Sequence, residues 1–228
     1  MCGRFALFTS PEALARLFGV AEAPALEPRY NIAPTQNILA VRIAPEGKVR
    51  EWALLRWGLI PFWARDPRIG SRLINARSET AAEKPAFRHA FRLRRCLVPA
   101  DGFYEWQRLA REKRPYFIRL RERETFAIAG LWEEWRGPEG AAIASCTLLT
   151  TEANALLRPL HDRMPAILSP HDYDLWLDPD VQRPEALLPL LKPYPAEAMI
   201  AHPVRPLVNN PANDSPLCAE PLSQGGSF

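Results

Sequence analysis

No apolar run in this sequence approaches the roughly 18 residues that a membrane-spanning helix needs, which excludes a helical membrane protein. The N-terminus also lacks the basic patch, apolar stretch and small-residue cleavage site of a secretory signal, so a cytoplasmic protein is expected. Cysteine is scarce: Cys2, Cys96, Cys146 and Cys218 are the whole set, and they stand far apart. A disulfide framework is not expected in a reducing compartment, and no pair has the close spacing of a zinc site, so no metal is expected. With only 4 His, a hydrolytic triad has few options. There is no G-x-S-x-G elbow, Gly-rich phosphate loop, H-E-x-x-H or dinucleotide fingerprint. Nucleotide hydrolysis, nicotinamide chemistry and metalloprotease chemistry are thereby disfavoured, and no cofactor is expected.

What is present is ordinary globular material. Of 228 residues, 47% are hydrophobic and 24% are charged, which suits one large domain with a substantial core. We place that domain at residues 1–222, followed by a flexible tail at 223–228. The 24 prolines are scattered as punctuation and do not fill one linker. Ser10-Pro11-Glu12 reads as the N-cap and first turn of a helix ending at Gly19. Ile38 to Ile43 and Val49 to Leu55 read as a strand pair around a Pro45-Glu46-Gly47 turn. Strands are also predicted at Cys2–Phe8, Leu73–Ala76, Cys96–Val98, Phe103–Gln107, Tyr116–Leu120, Phe126–Trp132 and Ala141–Leu149. Ser78 is expected to cap a helix running towards Arg94, and Thr151 and Ser169 two later helices, the second with Pro170 at its first position. Strand signals without regular helical crossovers predict an α+β fold, mostly antiparallel, with a curled or barrel-like sheet core flanked by short helices.

The net charge of +3 does not by itself mark a nucleic-acid binder. Two basic runs, Arg88/Arg92/Arg94/Arg95 and Arg108/Arg111/Lys113/Arg114, read as a solvated helix face and a solvated loop.

Cys2 is the unusual position. Once Met1 is removed, which a small second residue favours, one residue carries both an α-amine and a thiol, with reference pKa values near ~8 and ~8.5. The amine condenses with an aldehyde to an imine, and the thiol of the same residue closes a five-membered thiazolidine. The same terminus also suits an N-terminal-nucleophile amidohydrolase, in which the amine serves as base for the thiol. The terminus alone leaves both classes open.

An ordered series of short motifs runs along nearly the whole chain. Cys2-Gly3-Arg4-Phe5, Tyr30-Asn31-Ile32-Ala33-Pro34, Trp57-Gly58-Leu59-Ile60-Pro61 and Ile74-Asn75-Ala76-Arg77-Ser78-Glu79-Thr80 come first. Arg95 to Trp106, Ala129-Gly130-Leu131-Trp132, Leu160 to Pro165 and His202-Pro203-Val204 follow. In this order the set resembles the SOS-response-associated peptidase family, also called the abasic-site-processing or SRAP domain family. The match loosens after Val204, where Arg205-Pro206 replaces an expected small polar residue. The resemblance implies that Cys2 reacts with the ring-opened aldehyde of an abasic deoxyribose to form a stable DNA–protein crosslink, with Asn75, Glu105 and His161 around it. Glu105 would shuttle protons, His161 would exchange a proton with the sugar oxygen during ring opening, and Asn75 would hold the substrate oxygen or the amine.

Arg4, Arg77 and Arg163 adjoin these residues in sequence and suit phosphates flanking the lesion. Trp63 and Trp106 suit stacking on bases, although Trp106 follows Glu105 on a strand and should face the other way. Trp52, Trp57, Trp132, Trp135 and Trp176 are expected in the core. The leading expectation is therefore a DNA-damage-response protein, monomeric and nucleoid-associated when bound to DNA. It would capture abasic sites in single-stranded DNA, with lyase activity as a side or main outcome. The alternatives are a thiol peptidase or amidohydrolase, including autoproteolytic removal of Met1, and a non-catalytic reader of modified single-stranded DNA.

Overall fold

Strand alternation and turn chemistry are realised in two sheets that share the chain unequally. The computed structural model describes residues 2–44, 47, 49–110 and 112–222. The strands are β1 (Phe5–Leu7), β2 (Arg29–Ile32), β3 (Asn37–Ile43), β4 (Arg50–Trp57), β5 (Asn75–Arg77), β6 (Arg95–Ala100) and β7 (Gly102–Arg108). They continue with β8 (Lys113–Leu120), β9 (Phe126–Arg136), β10 (Ala142–Glu152), β11 (Arg163–Pro165), β12 (Ile167–Leu168) and β13 (Met199–Pro203). The helices are short: α1 (Pro11–Phe18), α2 (Ser78–Ala81), α3 (Arg88–Leu93), α4 (Tyr173–Leu177) and α5 (Pro184–Leu187).

The larger sheet runs β11-β10-β4-β3-β6-β9-β12, and an additional β10–β9 pairing closes five of these strands into a barrel. Closure removes the unpaired edges that an open sheet would leave. Its pairings are antiparallel except β10 with β4 and β10 with β5, which are parallel. The smaller sheet, β13-β8-β7-β1-β2, is antiparallel throughout. The α+β, barrel-like expectation is thus met. No described helix is long and apolar enough to cross a membrane.

The local signals for α1 hold in detail. The Ser10 hydroxyl accepts from the Ala13 N–H, and Gly19 takes the left-handed conformation at φ 62° that ends a helix cheaply only at glycine. The strand pair β3–β4 has the expected antiparallel register; Pro45 and Glu46 of its turn lie outside the described residues, as do 223–228.

Two helix expectations are corrected, and a third, at Ser169 and Pro170, is met in position. Ser78 does not cap a helix to Arg94: it is the first residue of the four-residue α2, and α3 begins only at Arg88. Pro85 lies between them, and proline disfavours helix at the residue before it. Thr151 caps nothing, because it is the register partner of Met164 within β10. Ser169 occupies a cap position without a side-chain cap bond, and a 3-10 turn at Pro170–Asp172 precedes α4.

The basic run ending at Arg95 is also corrected. Arg88 and Arg92 are exposed, but Arg95 is buried. Its guanidinium donates to the carbonyls of Phe91, Arg92, Trp176, Asp178 and Val181. Trp57, Trp132, Trp135 and Trp176 are buried as expected, and Trp52 packs against the core.

Candidate active site

The N-terminal segment is threaded into the smaller sheet by β1, whose Phe5 and Ala6 pair with Phe103 and Gly102 of β7. The Tyr104 N–H donates to the Arg4 carbonyl at 2.9 Å, which carries this register back towards Cys2 and draws it alongside Glu105. Both Cys2 and Glu105 are buried. Burial, followed by the Glu105 charge, pushes the Cys2 thiol up to about 12. With Met1 still attached, Cys2 is therefore a protonated thiol near neutral pH.

Asn75 reaches the same residue from the larger sheet. Its Nδ2 donates to the Cys2 carbonyl at 2.8 Å, while its Oδ1 is buried without a hydrogen-bond partner. Two contacts fix the approach of this segment. The Trp57 indole N–H donates to the Ile74 carbonyl at 2.9 Å, and Asn75 lies in parallel register with Leu148 of β10. The glycine after Trp57 is required sterically. Gly58 has φ 132°, and a Cβ there would sit 2.6 Å from the Gly70 carbonyl oxygen.

His161 enters on the turn before β11. Its Nδ1 lies 2.9 Å from the Arg163 N–H and 2.7 Å from an Asp162 carboxylate oxygen. These two uses are exclusive. A neutral ring accepts from Arg163 at Nδ1, whereas a ring protonated there donates to Asp162. His161 shares one cavity of about 310 Å³ with Glu105, Trp106, Arg108, Lys113 and Asn209. As alternation requires, Trp106 packs with Tyr104, on the face of β7 opposite Glu105, yet both residues line the cavity.

The three arginines differ. The Arg4 Nη1 donates to Asn31 Oδ1 at 2.7 Å and to the Val208 carbonyl at 2.8 Å, and its guanidinium lies 5.9 Å from the Trp106 ring centroid. Arg163 grips Glu79 with both terminal nitrogens, at 2.7 and 2.8 Å, and also bonds the Thr150 carbonyl. Arg77 is exposed. Trp63 is 49% exposed, beside the equally open Phe62, but does not line the cavity that unites Glu105, Trp106 and His161. Among the described residues no group of His, Cys, Asp or Glu could hold a metal ion.

The Arg163–Glu79 bridge joins the segment of His161 to the segment of Asn75. Burial alone would raise the Glu79 carboxyl, but bonding to Arg163 and the backbone, and the charges of Arg163 and Arg77, lower it on balance. A carboxyl depressed in the folded state stabilises above its ordinary pKa, and the contribution is lost as pH falls through the folded value. Glu79→Gln is therefore expected to lower the folding stability at pH 7, and with it the melting temperature, by up to about 1 kcal/mol of free energy given the exposure of the carboxylate. That difference should start to shrink as pH falls through the ordinary glutamate value of about 4.3 and vanish only below the lowered folded value; thermal melts of both proteins across pH check it.

Sequence reading missed Asn31 and Asn209. The buried Asn31 donates from Nδ2 to the carbonyls of Val208, Asn210 and Asn213, so the loosely matching C-terminal segment is pinned beside Arg4. Asn209 accepts from the Trp106 indole N–H at 2.7 Å. Only the Tyr30-Asn31-Ile32-Ala33-Pro34 motif gave a signal for the first, and nothing local signals the second. Arg108 and Lys113 were visible as a basic run and are solvated as expected, yet they border the cavity; Arg111 lies outside the described residues.

The family model for SOS response associated peptidase (SRAP) matches residues 1–211. The chain belongs to this family. Among SRAP relatives, the abasic site processing protein YoqW of Bacillus subtilis (strain 168) is 46% identical over 224 residues, which are 96% of this chain and 99% of YoqW. The abasic site processing protein HMCES of Xenopus tropicalis is 33% identical over 84% of this chain and 65% of its own length. A solved protein structure from Bacteroides thetaiotaomicron superposes with a TM-score of 0.87 at 26% identity, covering 97% of this chain and 100% of that chain. One from Bordetella bronchiseptica gives 0.78 at 30% identity, covering 90% and 100%. At that coverage the shared fold takes in most of this chain.

Proposed function

We propose that this protein captures abasic sites in single-stranded DNA by forming a covalent bond between Cys2 and the lesion's aldehyde after loss of Met1. The observation that carries the reading is the convergence on Cys2: Asn75 bonds its carbonyl, and the Glu105 charge acts on its thiol. Membership in the SRAP family, and the similarity to the abasic site processing proteins YoqW and HMCES, support an abasic site as the target. A cytoplasmic protein that joins the nucleoid when bound to DNA fits this role.

The raised thiol suggests an order of events. With the thiol protonated, the freed α-amine attacks the aldehyde first, giving a carbinolamine. Loss of water leaves an imine. The Cys2 sulfur then adds to the imine carbon, the thiol proton passes to the nitrogen, and a thiazolidine results. Aldehyde and cysteine thus combine with release of one water. Glu105 takes the proton from the adding amine and returns one to the departing hydroxyl. His161 serves the sugar oxygen during ring opening, and the buried, unpartnered Asn75 Oδ1 holds the new amine. Arg77 meets phosphate from an exposed position, and Trp63 and Trp106 offer stacking surfaces. The same imine permits β-elimination and hence lyase activity. A thiol peptidase needs a thiolate instead, which burial of Cys2 disfavours.

Intact mass spectrometry after incubation with a single-stranded oligonucleotide carrying one abasic site tests the proposal. Loss of Met1 and a heat-stable adduct of one protein with one oligonucleotide are expected. Mature protein that yields no adduct would sink the mechanism. Glu105→Gln should slow adduct formation by about 10²–10⁴-fold while leaving binding of intact DNA in place. Since Glu105 also helps hold the thiol up, a faster rate would instead assign it to suppressing the thiol.

A further inference from the structure

Arg108 and Lys113 are register partners near the tip of the β7–β8 hairpin, and both are exposed. Directly opposed residues share a face, and a step of two along β7 puts them on the face of Trp106. Like charges so placed weaken a strand pair. Among the described residues neither forms an ion pair, whereas the neighbouring Arg114 lies 3.3 Å from Glu112. The hairpin thus sets two like charges side by side at the cavity whose lining includes Glu105 and His161.

A polyanion entering that cavity meets the Glu105 carboxylate, so it requires positive charge at the rim. Two nearby arginines are already engaged: Arg4 with Asn31 and Val208, Arg163 with Glu79. Arg108 and Lys113 are the cations that line the cavity itself. We propose that they form a phosphate-binding pair, taking the phosphodiester next to the sugar seated against Glu105 and His161. Arg108 supplies a planar fork and Lys113 a compact charge. The assignment rests on the DNA-capture reading above.

The test compares the full chain with Arg108→Gln/Lys113→Gln and, as a charge control on the same hairpin, Arg114→Gln. Binding to an intact single-stranded oligonucleotide is measured across salt, and adduct formation with an abasic oligonucleotide across concentration. The double variant should flatten the log–log salt dependence by about 1.4, from two lost contacts to a single strand at about 0.7 each. Its half-saturating concentration should rise roughly tenfold with the final adduct yield unchanged, while Arg114→Gln behaves as wild type. In wild type, an uncharged methylphosphonate on one side of the lesion should reproduce the loss and add nothing in the double variant. A wild-type salt slope in the double variant, or an equal fall in Arg114→Gln, would overturn the pair. A wild-type protein that forms no adduct while the slope still falls sinks the crosslinking reading and leaves the phosphate pair standing.

Discussion

Cys2→Ala should abolish the heat-stable adduct with abasic DNA while leaving a borohydride-trappable one. Removal of Met1 from the variant still exposes an α-amine, and an amine is all that imine formation needs. The alanine has no sulfur to close the ring, so the imine hydrolyses on heating unless it is first reduced. Cys2→Ser should lie close to the alanine protein, because a hydroxyl is a far weaker nucleophile than sulfur. Denaturing gels with and without borohydride, backed by intact mass, separate the two steps. Equal heat-stable yields from wild type and Cys2→Ala would show that no thiazolidine forms. Absence of any product from Cys2→Ala after reduction would move the first attack from the amine to the thiol, against the order that a thiol at about 12 implies.

Arg95→Ala should cost about 3–5 kcal/mol of stability, the largest effect expected from a residue outside the core's apolar set. Burial draws the Arg95 guanidinium down to about 10, and it is still charged at neutral pH. Its charge is solvated by carbonyls from three places: Phe91 and Arg92 on α3, Trp176 on α4, and Asp178 and Val181 beyond it. Truncation leaves those acceptors without a donor, at about 1–3 kcal/mol each, and water entering the vacated space recovers part of the loss. Arg95→Lys should be intermediate, since one ammonium has three donors and no fork with which to span five carbonyls. Arg92→Ala, on the exposed side of the same run, should cost under about 0.5 kcal/mol. Urea denaturation that puts Arg95→Ala level with Arg92→Ala would mean that the carbonyls find other partners.

These two arginines show where reading the sequence stops. Arg92 and Arg95 are three positions apart in one basic run, and nothing local tells the solvated one from the one that ties two helices together. That distinction needs α4, which arrives some 80 positions later in the chain, as the separation of Arg95 from Trp176 shows. The Ser78 helix differs for a local reason instead: Pro85 stands inside the segment and divides it into α2 and α3. The site divides likewise. Cys2, Asn75, Glu105 and His161 were nameable from ordered motifs, whereas the thiol's resistance to ionisation was not, because it arises from burial and from Glu105 brought alongside by β1–β7 pairing.

The sequence by itself determined the elements whose causes lie within a few residues: the Ser10 and Gly19 ends of α1, the β3–β4 pair, the alternation that turns Trp106 from Glu105, and the chemical potential of a cysteine at position 2. Tertiary structure alone decided the closure of β10 on β9, the parallel seating of Asn75 beside Leu148, the hold of Asn209 on Trp106, and the joining of Glu105 and His161 in one cavity with Arg108 and Lys113. The physical reason is one of range. Caps, turns and side-chain alternation are set by bonds and sterics between near neighbours, while register between distant strands is set by what the whole barrel must bury.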